Sequence, residues 1–341
     1  MRIIHRTDPT VEMLDWQQYL VSALRTLEDL LNYVDIDPTM PAAAQLLVDQ
    51  ASRDFPLLVP KPFADLIEKG NINDPLLRQV LPSGEETLAV SGYVKDPLAE
   101  KHSNITKGII HKYQGRVLLL VTGGCAVNCR YCFRRHFDYS DNKIKQREWQ
   151  EALQYVRDRP DIKEVILSGG DPLMLNDESL FALISTIEAI PHVSRLRIHT
   201  RLPVVIPQRL TTLLTNRLNS SRLHCSMVLH INHANELSPM HKSPLAELRS
   251  GGTWLLNQSV LLAGINDDVE TLVELSEALF INGISPYYLH QLDAVAGAHH
   301  FQVDPALAQN LYLGLREQLP GYLVPLLVKE IANTPYKTPL V

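Results

Sequence analysis

From Arg116 to Gln318 the chain repeats one pattern: a short run of aliphatic and β-branched residues, a polar turn, then apolar residues at helical spacing. The β-rich runs are Val117–Val121, Val165–Ser168, Leu196–Thr200, Cys225–His230, Leu256–Leu262 and Ser285–His290. The helix candidates that follow them are Arg147–Arg157, Asp177–Ala189, Pro207–Leu218, Pro244–Ser250, Val269–Ile281 and Pro305–Gln318. Strands separated by a helix cannot close as hairpins, so they pair in parallel through right-handed crossovers. The sequence therefore predicts an α/β fold of six βα units. A doubly wound open sheet shares this pattern. The chemistry-bearing residues follow strand C-termini, the rim on which a barrel carries its site, and so favour a partial (β/α)6 barrel.

The flanks read differently. Residues 1–105 form a helical front section in this reading, because Leu14, Tyr19, Leu20, Leu24, Leu27, Leu30 and Leu31 come close to one helix face between Met13 and Tyr33. Prolines at 38, 41, 56, 60 and 62 cut the chain beyond it into short pieces. Residues 106–320 carry the βα core, and 321–341 a short strand and tail that begin with the apolar run Tyr322–Val328. The 32 basic and 38 acidic side chains give a net charge of −6, which argues against nucleic-acid binding by bulk phosphate attraction. No run approaches the roughly 18 apolar residues that span a bilayer, and Met1–Trp16 lacks a basic stretch followed by an apolar core. A cytoplasmic protein is the expectation.

Of four cysteines, Cys125, Cys129 and Cys132 crowd into one loop, Gly124-Cys125-Ala126-Val127-Asn128-Cys129-Arg130-Tyr131-Cys132, directly after the first predicted core strand. That is no disulfide framework. A C-x3-C-x2-C loop can converge three thiolates on one inorganic centre. Three ligands on a four-iron cube leave one iron open to a substrate or cofactor, whereas electron-transfer clusters normally take four. Zinc with His136 as the fourth ligand, or three buried spectators, remain as alternatives. Cys225 lies among apolar neighbours and reads as core. The loop resembles that of the radical S-adenosylmethionine superfamily, in which an aromatic residue precedes the third cysteine; Tyr131 fills that position.

Ser168-Gly169-Gly170-Asp171-Pro172 joins the second run to its helix. Taken alone it is a tight turn with Asp171 as a cap and Pro172 as the first helical residue. The superfamily resemblance implies a second role for it, holding the methionyl group of S-adenosylmethionine, with His230 and Gln258 at matching rim positions. Without the resemblance, His230 reads as a polar strand end.

Longer stretches narrow the resemblance. Ile109–Leu120, Cys132-Phe133-Arg134-Arg135, Asn257–Leu262 and Pro286–Asp293 are similar, in order, to lysine 2,3-aminomutases over about residues 70 to 341. This family uses pyridoxal phosphate together with S-adenosylmethionine and a [4Fe-4S] cluster. The resemblance implies that Lys337, in Thr334-Pro335-Tyr336-Lys337-Thr338-Pro339, is the Schiff-base lysine and the catalytic amine. Lys112 is a competing amine; with Tyr113 and Arg116 it belongs to the expected cofactor-binding stretch, Arg116 suiting a phosphate because guanidinium donates a planar fork. Arg134 matches the clamp for the carboxylate of L-lysine. Asp293 and Glu330 match the positions that bind the distant ammonium, although many members carry aspartate where this chain has Glu330, and Asp293 alone would read as a helix cap.

Only four residues follow Lys337, whereas many members continue further. This, with Cys225-Ser226-Met227-Val228-Leu229 and Tyr131, resembles the branch that makes (R)-β-lysine for attachment to elongation factor P by a ligase. An external electron donor is the other partner implied; nucleic acid and membrane are not.

Overall fold

The computed structural model describes residues 16–39, 51, 54–99, 104–106, 108–137, 149–332 and 334–341. Its strands are β1 (Asn104–Thr106), β2 (Ile109–Tyr113), β3 (Arg116–Thr122), β4 (Glu164–Gly169), β5 (Arg195–Thr200), β6 (His224–Leu229), β7 (Trp254–Leu261), β8 (Ser285–Gln291), β9 (Leu326–Lys329) and β10 (Thr338–Pro339). Its main helices are α1 (Leu27–Tyr33), α2 (Trp149–Arg157), α3 (Asp177–Glu188), α4 (Thr212–Asn219), α5 (Pro239–Ser250), α6 (Val269–Ile281) and α7 (Pro305–Gln318). The strands lie side by side in chain order as one open sheet. β3 to β9 run parallel, so the expected partial barrel is present. The strand β9, paired to β8 at Leu289↔Leu327, extends it beyond the six predicted units. No helix of the described residues is long and apolar enough to cross a membrane.

Strand periodicity decides what faces the cavity. In β5, Leu196 and Ile198 join the buried core with Leu180, Leu183, Ile184 and Ile187 of α3, while Arg197 and His199 point to the concave side and line a cavity. In β4, Val165 and Leu167 take the helix side and Ile166 and Ser168 the cavity side. A hydrophobic outer layer thus comes with a polar inner lining at no cost to the strand pattern.

Helix starts follow their caps. Asn176, Asp268 and Asp304 accept backbone N–H groups at the starts of α3, α6 and α7 at 2.8–2.9 Å. Three helix expectations are corrected. The stretch Met13–Tyr33, whose first three residues lie outside the described ones, is not a single helix: Leu24 pairs with Val59 through bonds of 2.8 and 3.0 Å, and Thr26 caps a separate α1 through Asp29 N at 3.1 Å. α4 starts only at Thr212, because Thr211 accepts from Leu214 N at 3.1 Å and Pro207–Arg209 forms its own 3-10 turn. α5 starts earlier than predicted, at Pro239, where Ser238 N donates to His241 Nδ1 at 2.9 Å, and it keeps Pro244 inside the helix. For α2, residues 147 and 148 lie outside the described ones.

Two further features were not in the expectation. β2 runs antiparallel to β3 across Gln114-Gly115, with Tyr113↔Arg116 in register and Gly115 at φ +73, the backbone a tight turn asks of glycine. The run Tyr322–Val328 is only partly a strand: Gly321–Leu323 is a 3-10 turn and β9 starts at Leu326. β10 then returns antiparallel on β9, Thr338↔Lys329, which brings the segment before it back to the sheet.

Candidate active site

One cavity of about 460 Å³ opens within the curve of the sheet, and its walls gather the three loop cysteines and the residues expected to bind cofactors and substrate. Cys125, Cys129, Cys132 and Arg134 come from the loop after β3; Ser168, Gly169, Gly170 and Asp171 from the end of β4; His230 from just beyond β6 and Gln258 from β7; Asp293 from beyond β8. Lys112, Tyr113 and Arg116 of the β2–β3 turn meet Glu330 and Lys337 of the C-terminal segment at another part of the wall.

The cysteine loop is fastened from behind. Arg130 is fully buried, and its guanidinium reaches Glu86 Oε1 at 2.8 Å and the Phe55 carbonyl at 2.7 Å; Arg135 reaches Glu86 Oε2 at 2.6 Å. Within the loop Cys132 N donates to the Cys129 carbonyl at 3.0 Å. Burial pushes the Cys132 thiol up to about 11 and Cys125 well above the usual thiol range, with neighbouring cysteines adding to both. Buried thiols of this kind ionise against a strongly cationic centre. His136, the fourth ligand of a zinc site, is not in the cavity wall, and its Nε2 lies 2.9 Å from the Ala296 carbonyl. Without His136 the three cysteines leave a four-ligand zinc site one ligand short, whereas cysteine thiolates are the ligands of an iron–sulfur cluster. Cys225 is core, with its thiol 3.7 Å from the Leu218 carbonyl.

The glycine pair serves the protein first. Gly169 has φ +118, and an added Cβ would stand 2.5 Å from the Thr122 carbonyl; at Gly170 a Cβ would collide with the Gly124 carbonyl. Gly170 N and Asp171 N donate to Thr122 and Gly124 at 2.7 and 2.8 Å, so these two N–H groups tie β4 to the cysteine loop. The Asp171 carboxylate accepts from Thr200 Oγ1, Arg201 N and Leu202 N at 2.7–2.8 Å, and from Leu173 N at 3.0 Å as the cap of the turn that starts with Pro172. It is thereby a clamp on the end of β5.

At the other wall, Lys337 is ion-paired with Glu330, which also takes the Tyr113 hydroxyl at 2.9 Å and faces Lys112 Nζ at 3.5 Å. Burial alone would raise the Glu330 carboxyl, but Lys337 and Lys112 outweigh it and pull it down to about 2. The Arg116 guanidinium stacks 4.5 Å from the Tyr113 ring centre. Arg134 is buried and donates to Ser168 Oγ at 3.1 Å and the Gly169 carbonyl at 3.3 Å. Asp293 caps no helix: the next helical turn, His299–Phe301, starts after Ala298.

The lining also holds residues that the motifs did not single out. Arg197 donates to Glu164 at 2.6 and 2.9 Å, and Arg201 reaches Cys129 Sγ at 2.7 Å. His199 and His290 join His230, and all three have a buried Nε2 without a hydrogen-bond partner, as Gln258 has at Oε1. Burial, then nearby cations or imidazoles, lowers His230 to about 4 and the other two well below the histidine range, so all three are neutral at pH 7. Such orphaned polar atoms need a ligand's partners. Strict alternation along β5 and β8 would have placed Arg197, His199 and His290 on the inner face.

Comparison with known proteins agrees with this geometry. The model of the Radical SAM superfamily matches residues 119–222, from β3 through the cysteine loop to α4 and just beyond it. The L-lysine 2,3-aminomutase of Escherichia coli is 50% identical over 327 residues, covering 96% of this chain and 94% of that one. That of Haemophilus influenzae is 47% identical over 341 residues, 99% of each. That of Buchnera aphidicola is 42% identical over 316 residues, 93% of this chain and 92% of that one. With near full-length identity on both sides, and the three-cysteine loop at the end of the first parallel strand, the chain belongs to the lysine 2,3-aminomutase family of radical S-adenosylmethionine enzymes.

Proposed function

We propose that the chain is an L-lysine 2,3-aminomutase that converts (S)-α-lysine to (R)-β-lysine, using a [4Fe-4S] cluster, S-adenosylmethionine and pyridoxal 5′-phosphate. The observation that carries the reading is the convergence of the cysteine loop, the β4 glycine turn and the Lys337 segment on one cavity. When bound, the three groups supply hydrogen-atom abstraction and a covalent hold on the migrating amino group.

In this reading Cys125, Cys129 and Cys132 hold the cluster, and the turn Ser168–Asp171 with His230 and Gln258 receives S-adenosylmethionine. The unpartnered Nε2 of His230 and Oε1 of Gln258 provide a donor or acceptor pair for it. Lys337 attaches pyridoxal phosphate, and Arg116, Tyr113 and Lys112 hold that cofactor, Arg116 by its fork on the phosphate. Arg134, already fixed by Ser168, orients the substrate carboxylate.

Asp293 and Glu330 take the distant ammonium of lysine. Glu330 pairs with the ammonium of Lys337 and faces that of Lys112, so its carboxylate is held charged in the wall, the state that would pair with a substrate ammonium. Two carboxylates would repel the side chain of glutamate. The buried imidazoles, being neutral, add no charge to a wall that already carries Arg116, Arg134, Arg197 and Lys337.

The product supplies a ligase that attaches (R)-β-lysine to a lysine of elongation factor P, in the cytoplasm, with an external donor reducing the cluster. The Cys225–Leu229 segment and Tyr131 support this branch of the family. The test is anaerobic reconstitution with iron, sulfide and both organic cofactors, followed by chiral analysis of the product from L-lysine. Absence of β-lysine under reducing conditions sinks the reading. Deletion of the gene with mass spectrometry of elongation factor P tests the branch, which fails if β-lysylation persists.

A further inference from the structure

We propose that Arg201 is a positioning residue for the cluster assigned to Cys125, Cys129 and Cys132, and that its guanidinium, hydrogen-bonded to the Cys129 sulfur, raises the reduction potential of that cluster. The inference rests on the cluster reading above and deepens it by naming the residue that sets how readily the cluster accepts an electron.

Arg201 follows β5 and is 5% exposed. Its Nη1 lies 2.7 Å from Cys129 Sγ and also donates to the Tyr131 hydroxyl. Its Nη2 donates to Gln79 Oε1 at 2.7 Å and Glu236 Oε2 at 2.9 Å. The backbone is held as firmly, since Arg201 N donates to Asp171 at 2.7 Å. Asn232 completes the network with 2.6 Å to the Tyr131 hydroxyl and 3.0 Å to Gln79 Oε1. The donor therefore has little freedom to leave the sulfur.

The electrostatic sense is fixed by what reduction does. One electron added to the cluster increases the negative charge on the iron, sulfide and thiolate sulfurs together. A hydrogen-bond donor at a ligand sulfur, carrying a positive charge in a buried setting, favours that form over the oxidised one. Glu236 opposes it from the far side of the same guanidinium, so the two residues are handles of opposite sign. Asp171 holds the Arg201 backbone. An arginine that merely tied the β5 turn to its neighbours would give no such sign.

The test is a redox titration, followed by electron paramagnetic resonance, of the full-length reconstituted wild type, R201Q and E236Q, with iron and sulfide counted in each. R201Q is expected to keep its iron and to have a reduction equilibrium at least tenfold less favourable, which for a one-electron couple is a midpoint about 59 mV more negative. E236Q is expected to move the midpoint the other way. An unchanged midpoint in iron-replete R201Q, or both variants moving in the same direction, overturns the proposal. If R201Q loses its iron, E236Q is read in its place, and a midpoint there that equals the wild-type value or moves more negative also overturns the role. A wild type that takes up no cluster rejects the cluster reading itself, whereas a wild-type cluster with an unmoved R201Q midpoint rejects only Arg201.

Discussion

Lys337 and Glu330 form an ion pair across the turn between β9 and β10, although they stand at a sequence separation of 7 and neither belongs to a regular strand. Glu330 is held on its other side by Tyr113 and Lys112 of the β2–β3 turn, so the pair joins the two ends of the described sheet. Removing the carboxylate leaves two ammonium groups facing each other with little access to water. We expect E330Q to lose about 3 kcal/mol of stability, the scale for breaking a largely buried pair. E330D, which keeps the charge at shorter reach, should lose less. Urea midpoints of the three proteins check this, and an E330Q midpoint equal to wild type counts against the pair. In turnover, E330Q should raise the KM for lysine at least about tenfold, while borohydride still fixes pyridoxal phosphate to Lys337.

Gly170 supports a second expectation. A methyl group at this position meets the backbone carbonyl of Gly124, one residue before Cys125, and backbone cannot swing aside as a flexible side chain does. G170A should therefore cost about 1–3 kcal/mol, the usual scale for overpacking. The strain falls on the cysteine loop, so iron per chain after reconstitution should drop more than the secondary structure seen by circular dichroism. Full iron loading in G170A would show that the loop yields without losing its geometry.

These relationships mark how far the sequence reaches. The parallel core was legible because each strand carries an alternating or apolar pattern and α3, α4, α6 and α7 follow Asn, Thr, Asp and Asp caps, and α6 and α7 match their expected bounds. The β2–β3 turn is readable in principle from Ile109–Tyr113 followed by Gln114-Gly115. Spacing marked the cysteines and resemblance named Arg134 and Lys337, and the fold collects them around one cavity. Arg201 carried no motif. It meets Cys129 at a sequence separation of 72, and only the closure of β5 against the cysteine loop makes the contact. Pairings of that range come from tertiary packing, which neither period nor local propensity encodes.

Buried neutral histidines give the protein a specific pH response. His230 is lowered to about 4 by burial and nearby cations, and His199 and His290 are lowered as well. In the unfolded chain these imidazoles titrate near 6.5 and take up protons that the folded chain refuses. Stability is therefore whole above about pH 6.5 and declines as pH falls from there toward 4, by up to about 1.4 kcal/mol per pH unit for each histidine. Glu330 acts in a lower window, its contribution being present above about 4.5 and lost as pH falls toward 2. Denaturant midpoints of the cofactor-free protein at pH 7.5 and 5.5 should differ, and H290Q should narrow the difference. Equal midpoints in wild type would mean that these imidazoles already carry protons in the fold.

Arg134 is the most direct test of substrate orientation. It is 8% exposed, and Ser168 Oγ and the Gly169 carbonyl fix Nη1 at 3.1 and 3.3 Å. Guanidinium carries its N–H groups in a planar fork, the geometry that a carboxylate accepts in two parallel bonds. Lysine in its place keeps the charge and removes the fork. We expect R134K to weaken substrate binding by about 1.5–3 kcal/mol, the range for a hydrogen bond to a charged group, which is roughly 10- to 150-fold in KM. S168A, which removes one anchor and no charge, should produce a smaller rise in the same direction. Borohydride trapping at Lys337 should be unchanged in both variants, because neither residue touches that end of the cavity wall in this reading. A KM in R134K equal to wild type would place the carboxylate of the substrate elsewhere, with Arg116 and Arg197, which line the cavity without contacting a loop cysteine, as the next arginines to vary.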